Sequence, residues 1–451
     1  MTSQVHTFGK NVSFTPAVYS EPRNEEELLR LLHRYRDQSI RVVASRHAWS
    51  DAIKTDGLLI SVNHFNHIQV NKDRQTVTVG GGCQVKHLLP GLKKQGLTLP
   101  SVGLIDEQTV AGATATGTHG SGKNSLSQYI RRARVALFAP RTGEPVISEI
   151  DGDDELWAAR CSLGLLGVIV ELELQVRPVY RVLEQAQRHE SLDQVLAAER
   201  EYPLQQFYLM PWSWHLFGHH RQETDQPRSR LAGLYRAYWY LGIDWGLHLL
   251  IFLLVKILRA GFLLRSFYRF ILPLLIIRKW RVVDDSQKML TMEHELFRHI
   301  EIELFVKRSR LEASLDYVKY VIAAFGGQQP GSYLNVSIPA ESLGSYCHHY
   351  PICVRRVLTD DTLISMACPA AADDCEDWFA ISLISYDWPN SRQGFFGFAR
   401  FLAATMPPRY GARCHWGKFN PLSRETNETL YPAIDQFRDV VERFDPESRF
   451  A

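Results

Sequence analysis

Apolar residues recur at helical spacing across residues 24–38, where Leu28, Leu29, Leu31, Leu32 and Tyr35 fall on one stripe. Asn24 and Glu27 stand as a capping-box pair at its start. Apolar runs of strand length follow at 40–44, 58–62 and 76–79, and a helical pattern at 85–95. Further strands are predicted at 134–138 and 168–176, with a helix at 154–163 between them. Residues 1–180 therefore alternate helix and strand, an α+β or α/β domain, and residues 285–400 read as a mixed α+β region.

Two stretches break this pattern. Residues 101–122, SVGLIDEQTVAGATATGTHGSG, hold hardly a bulky side chain after Val110. Such a stretch builds no core by volume and suits close approach of another molecule to the backbone. Residues 231–280 are aromatic and aliphatic with basic residues interspersed. Their longest uncharged run is 245–255, short of the ~18–20 residues that span a bilayer. A helix lying in a membrane interface fits this composition, with phosphate headgroups suiting Arg259, Arg265 and Arg269. The alternative is a buried helical hairpin.

At 451 residues, two or three domains are expected, and 45% hydrophobic with 22% charged residues excludes a disordered chain. A formal charge of +2 gives no basic excess for nucleic acid. The seven cysteines form no C-x-x-C pair, which points to free thiols in a reducing compartment and to no metal site. The opening residues MTSQVHTFGKN show no apolar signal region.

The Gly-rich run 117–122 is neither G-x-G-x-x-G nor a P-loop. Two backbone-exposing stretches, 44–51 and 112–122, nevertheless suit a large polar ligand such as a pyrophosphate-containing cofactor. Two tight loops without a ligand remain the alternative at this level.

V-V-A-S-R-H-A-W-S-D at 42–51 resembles the first flavin loop of the aldonolactone oxidoreductases, within the vanillyl-alcohol-oxidase-like FAD superfamily. Residues 109–122 resemble their second flavin motif, and A-A-R-C-S-L-G-L-L-G-V-I-V at 158–170 a third. H-W-G-K at 415–418 is similar to their active-site signature, and D-P-E-S-R-F at 445–450 to their closing motif. The segment 231–280 resembles one in animal gulonolactone oxidases, which are membrane-associated.

The resemblance implies a PCMH-type FAD domain of two α+β subdomains at 7–180, an antiparallel-sheet cap at 181–400, and a return to the FAD domain at 401–451. It implies FAD held by Ala44, Ser45, Arg46, His47, Ala48, Ser50, Gly103, Gly112, Ala113, Thr116, Gly117, His119, Gly120, Gly167, Val168 and Ile169. His47 would carry the covalent link, and the last three would meet the adenine end through their backbone. Relatives have Gly-His-Ser where this chain has Arg46-His47-Ala48. His119 would pack and hydrogen-bond beneath the flavin. Gly103, without a Cβ, mildly favours an oxidase over a dehydrogenase.

Lys418 and Arg355 would stabilise negative charge as a hydride leaves the substrate carbinol, and His415 would orient the substrate. The strand H-Y-P-I-C-V-R at 349–355 departs from the family's Glu-x-Arg, because Cys353 replaces the Glu. A thiol is a weak, uncharged hydrogen-bond partner. Glu303 on E-I-E-L-F-V at 301–306 is a replacement carboxylate, or else a solvent-facing charge. The expected activity is that of a D-arabinono-1,4-lactone or L-gulonolactone oxidase, with O2 or another acceptor, at the cytoplasmic side of a membrane. A flavoenzyme for lipid-linked sugars and a degenerate flavin-binding scaffold are the alternatives.

Overall fold

The computed structural model describes residues 4–258, 261–292, 298–329, 333, 336–371, 373–386 and 391–451. Asn24 caps the first helix, α1 (Glu25–Arg34), accepting from the Glu27 N–H at 2.9 Å. Glu27 in turn accepts from the Arg23 N–H at 2.8 Å, one residue earlier than a capping box requires. The helix stops at Arg34 rather than at 38, where Tyr35 leaves helical geometry. Leu28 and Leu32 pack onto a parallel sheet of β1 (Val18–Ser20), β2 (Ile40–Val43) and β3 (Leu58–Ser61), in the order β1-β3-β2.

A second, antiparallel sheet holds β4 (Ile68–Asn71), β5 (Thr76–Gly80), β6 (Ile130–Phe138), β7 (Pro145–Ile150) and β8 (Val168–Gln175), ordered β7-β6-β8-β5-β4. Helices α2 (Val85–Lys93), α3 (Val110–Ala115) and α4 (Asp153–Arg160) share its core. A register shift between Ile169 and Glu171 changes which face β8 presents. Val168 and Val170 bury with the parallel sheet, whereas Leu172 and Leu174 bury with the helices. One strand thereby serves both subdomain cores.

The third sheet has eight antiparallel strands: β9 (Arg181–His189), β10 (Gln206–Leu209), β11 (Leu216–Thr224), β12 (Val282–Asp285), β13 (Ile300–Lys307), β14 (Ile352–Val357), β15 (Trp378–Ser385) and β16 (Arg413–Cys414). Their order is β12-β9-β11-β10-β14-β15-β13-β16. One face is covered by α5 (Leu311–Phe325) and α6 (Gln393–Tyr410). Residue 401 lies inside α6, so the chain stays with this sheet through Cys414. Trp416 and α7 (Ile434–Phe444) then join the core of the five-stranded sheet, and Phe450 that of the parallel sheet.

Residues 232–257 and 261–275 form helical stretches over the other face of the large sheet. Leu247, Ile251, Leu264, Phe267, Tyr268 and Leu272 bury against Met210 and Phe217. The outer face is different. Sixteen of the twenty exposed large hydrophobic side chains among the described residues fall between Leu231 and Ile277. The helix Ala232–Val255 extends the uncharged run back through Asp244, so its 24 residues are long and apolar enough to cross a membrane by length and composition alone. Its buried inner face lays it along the protein.

The basic residues of this segment divide. Arg236, with Arg228, pairs with the fully buried Asp284 and ties the segment to β12. Arg265 turns inward, over the Trp212 ring at 4.7 Å and onto the Gly326 carbonyl, so it is spent within the protein and not left for headgroups as expected. Arg269 is exposed, and Arg259 lies outside the described residues.

On β11, burial pushes His219 and His220 down to about 4. In the unfolded chain they titrate near 6.5. Between these values the unfolded chain binds more protons, so stability falls as pH drops from about 6.5 towards about 4. Thermal melts across that window should show a falling Tm, and His220→Asn should flatten the slope.

Candidate active site

Strand β13 alternates strictly. Ile300, Ile302, Leu304 and Val306 enter the core beneath α5 and α6. The period of two therefore sends Glu301 and Glu303 to the opposite face. Both are buried, at 3% and 1% exposure, so Glu303 is not a solvent-facing charge. Cross-strand register puts Tyr208, Cys353, Ser382 and Glu303 in one row over four strands. The carboxylate thus stands two strands from the thiol, on the same face.

Each carboxylate has a cation. Glu303 Oε1 accepts from Arg355 Nη2 at 2.8 Å and lies 3.4 Å from His119 Nε2. Burial alone would raise Glu303, but Arg355 and His119 hold it well below the usual carboxylate range. Glu301 Oε2 accepts from Lys418 Nζ at 2.6 Å, and its Oε1 from the Ser382 hydroxyl. The ammonium also sits over the Trp49 ring, 4.3 Å from its centre.

The turn that carries Lys418 hangs on the same strand. His415 N–H donates to the Glu303 carbonyl and Phe419 N–H to the Glu301 carbonyl, both at 3.0 Å. The intervening residues loop out, and Trp49 N–H reaches the Gly417 carbonyl at 2.9 Å. Gly417 N–H donates to His415 Nδ1 at 3.0 Å, which leaves the ring proton on Nε2. Burial pushes His415 well below its ordinary value, so the ring is neutral at pH 7.

His119, Glu303 and His415 bring ligating atoms within 4.8 Å of one another. The set has the composition of a metal chelate. However, Arg355 already places a positive charge on the Glu303 oxygen, and His415 Nδ1 already accepts a hydrogen bond. It is a hydrogen-bonded cluster in which a metal would displace a guanidinium.

The expected flavin loops converge beside it. Ala44, Ser45, Arg46, His47, Ala48 and Ser50 follow β2, where Ser45 Oγ accepts from Thr109 N–H at 3.3 Å. Phe8 stacks on the half-buried His47 at 4.8 Å, and its N–H donates to the Arg46 carbonyl. Gly112 and Ala113 lie on α3; Thr116 closes it, and Gly117, His119 and Gly120 follow. The third motif joins through Leu163 N–H to the Ala115 carbonyl at 3.1 Å. Two glycines serve packing. A Cβ on Gly103 would lie 2.5 Å from the Thr118 methyl, and one on Gly167 2.4 Å from the Ala136 carbonyl. Val168 and Ile169 run in the ladder with Ala136 and Val135.

The buried hydroxyls of Ser50, Ser101 and Ser162 lack a protein partner. One lies in each converging loop, which is what a polar ligand threaded between the loops would satisfy. FAD fits this donor set. Sequence reading passed over Glu301, Ser382, Trp49, Ser101 and Ser162, and also Gly81, whose carbonyl accepts from Ala111 N–H. For the last, the run Gly80-Gly81-Gly82 was a visible signal. Glu301 was visible only as one residue of an alternating strand.

A cavity of about 820 Å³ opens from this cluster across the sheet. Its polar end carries His119, Glu301, Glu303, Arg355, His415 and Lys418. Its lining further includes the apolar Met210, Phe217, Trp239, Leu247, Leu272 and Ile276, together with His219 and the Glu184–Arg221 ion pair. Four of the apolar side chains come from the inner face of the exposed helical segment.

The chain matches family profiles for the FAD binding domain over residues 16–140 and for D-arabinono-1,4-lactone oxidase over residues 172–451. It is 45% identical to a long-chain alcohol oxidase of an uncultured marine euryarchaeote, over 99% of this chain and 95% of that one. It is 27% identical to the L-gulonolactone oxidase of Mus musculus, over 99% and 96%. A crystal structure of cholesterol oxidase from B. sterolicum superposes with a TM-score of 0.76 at 14% identity, over 100% of this chain and 95% of that one. That likeness shows the fold, an FAD-binding domain with an antiparallel-sheet domain, as expected.

Removing Arg355 alone leaves Glu303 as a buried charge. Arg355→Met should cost about 3–5 kcal/mol in urea unfolding, and the double variant with Glu303→Gln should recover much of the loss.

Proposed function

The chain belongs to the D-arabinono-1,4-lactone oxidase family of FAD-dependent oxidoreductases, and on that premise we propose that it oxidises an alcohol bearing a long apolar tail. The observation that carries this reading is that a helical segment with an exposed, apolar outer face also contributes four apolar side chains, Trp239, Leu247, Leu272 and Ile276, to the cavity lining. The name of the 45%-identical relative supports it. So does Cys353, whose thiol burial pushes up to about 11. It is neutral at pH 7 and a poor partner for the hydroxyls of a sugar lactone.

Bound FAD supplies the acceptor for a hydride leaving the carbinol carbon. The loops at 44–50, 101–120 and 161–167 hold it, and His47 tethers it. Lys418 and Arg355 are fixed cations beside the reacting end and stabilise negative charge developing there. His415, neutral and with its proton on Nε2, donates to the carbinol oxygen without competing for its proton. The Glu303 carboxylate, held ionised, accepts from the substrate hydroxyl, orients it and takes its proton as the hydride leaves. Dioxygen or another acceptor completes the cycle.

The outer face of the helical segment rests on a lipid surface. The exposed Arg230, Arg278, Lys279 and Arg281 flank that face in sequence and suit anionic headgroups. A tail-bearing alcohol then reaches the cavity from the phase in which it dissolves.

Flavin reduction by primary alcohols should accelerate with length, by up to about fourfold in kcat/KM per methylene while the tail stays inside. Aldono-1,4-lactones should be far slower; faster reduction by a lactone would overturn the substrate assignment. Precipitation with acid should leave flavin in the pellet of the wild type and in the supernatant of His47→Ala. The wild type should float with vesicles of phosphatidylcholine and an anionic phospholipid, and the triple variant Leu234→Glu, Phe262→Glu, Leu274→Glu should not.

A further inference from the structure

Glu301 has no role in the reading above, yet its Oε2 accepts from Lys418 Nζ at 2.6 Å. We infer that Glu301 is a positioning residue for Lys418, which aims the ammonium at the carbinol and offsets part of its charge at the flavin. The inference rests on the family's FAD chemistry and on the role given to Lys418.

Three constraints converge on that ammonium. Glu301 Oε2 takes one N–H at 2.6 Å. The Trp49 ring occupies another side at 4.3 Å. The backbone beneath is fixed, because Phe419 N–H donates to the carbonyl of Glu301 itself. Both side chains line the cavity, so the donor capacity left on Nζ is directed into it. Glu301 is held in turn by the Ser382 hydroxyl. A free lysine has a flexible four-carbon stem; this one is clamped.

The charge count adds a second consequence. Two carboxylates from one strand face two cations from different elements, Arg355 and Lys418. In a buried site, the cations' pull on electrons entering the flavin is reduced by their paired carboxylates. Neutralising Glu301 therefore does two things of opposite sign. It raises the positive potential at the flavin, and it releases the ammonium from its productive position.

Glu301→Gln holoenzyme should bind sulfite, an anion that adds reversibly to oxidised flavin, roughly tenfold more tightly than wild type. The same variant should show flavin reduction by alcohol slowed about a hundredfold. Glu301→Asp should restore part of both. Sulfite affinity that weakens, or stays unchanged, while reduction slows would overturn the inference and leave Glu301 as a structural brace. Should Glu301→Gln lose FAD, the cycle moves to Lys418→Met, where adding Glu301→Gln should still tighten sulfite binding, since the carboxylate's charge is removed in either background, but should slow flavin reduction no further. A further slowing of about a hundredfold in that background would show that Glu301 acts independently of Lys418 and would also overturn it. Sulfite binding needs no substrate, so failure of the long-chain-alcohol reading leaves this test intact.

Discussion

Two glutamates on the buried face of one strand are the constraint around which the site is arranged. An ionised carboxylate removed from water needs a partner of opposite charge and further hydrogen bonds. Glu303 obtains Arg355 from β14 and His119 from the Gly-rich stretch. Glu301 obtains Lys418 from the C-terminal turn and the Ser382 hydroxyl from β15. Satisfying one strand therefore draws four other parts of the chain to one place. The same strand's backbone carbonyls pin the turn that brings Lys418. Its opposite face is an uninterrupted aliphatic row locked beneath α5 and α6, which keeps the charged face from rotating or slipping.

The large sheet has two different lids. Over β13, β14 and β15 lies the flavin-binding domain, joined through Trp49 and Gly417. Over β10 and β11 lies the helical segment, packed through Leu247, Phe267 and Leu272. The cavity runs between these lids; the helical segment adds Trp239, Leu247, Leu272 and Ile276 to its lining, beside the Glu184–Arg221 pair and His219. The proposed long-chain alcohol rests on this arrangement. Its reacting end would be recognised by charge and hydrogen bonds, and its tail by area removed from water. The helical segment joins that lining to an exposed apolar exterior within the thickness of one helix.

Much of the framework was legible in the sequence. The helix at Asn24, the strands at 40–44, 58–62, 76–79 and 168–176, and the strand at 301–306 depend on local periodicity and caps, which the residues carry themselves. The bulge in β8 was not legible, because it exists only where β6 sets the register against it. The fate of Arg265 was not legible either. Nothing beside it in the chain announces Trp212 and the Gly326 carbonyl, which tertiary packing brings to it.

The sequence by itself determined the flavin loops, the His47 and Lys418 motifs, and the loss of the family's glutamate at Cys353. These are short runs whose order and spacing are read without knowing what they touch. Only the tertiary structure decided that Glu303 stands in the same cross-strand row as Cys353, and that Glu301 is the partner of Lys418. Only it showed the segment at 231–280 to have one face in the cavity wall and the other in solvent. The physical reason is common to all three. Pairing and facing depend on strand register and sheet order, which join residues more than a hundred positions apart, as in the 117-residue separation of Glu301 and Lys418. Local pattern fixes what each strand presents, and sheet assembly fixes to whom.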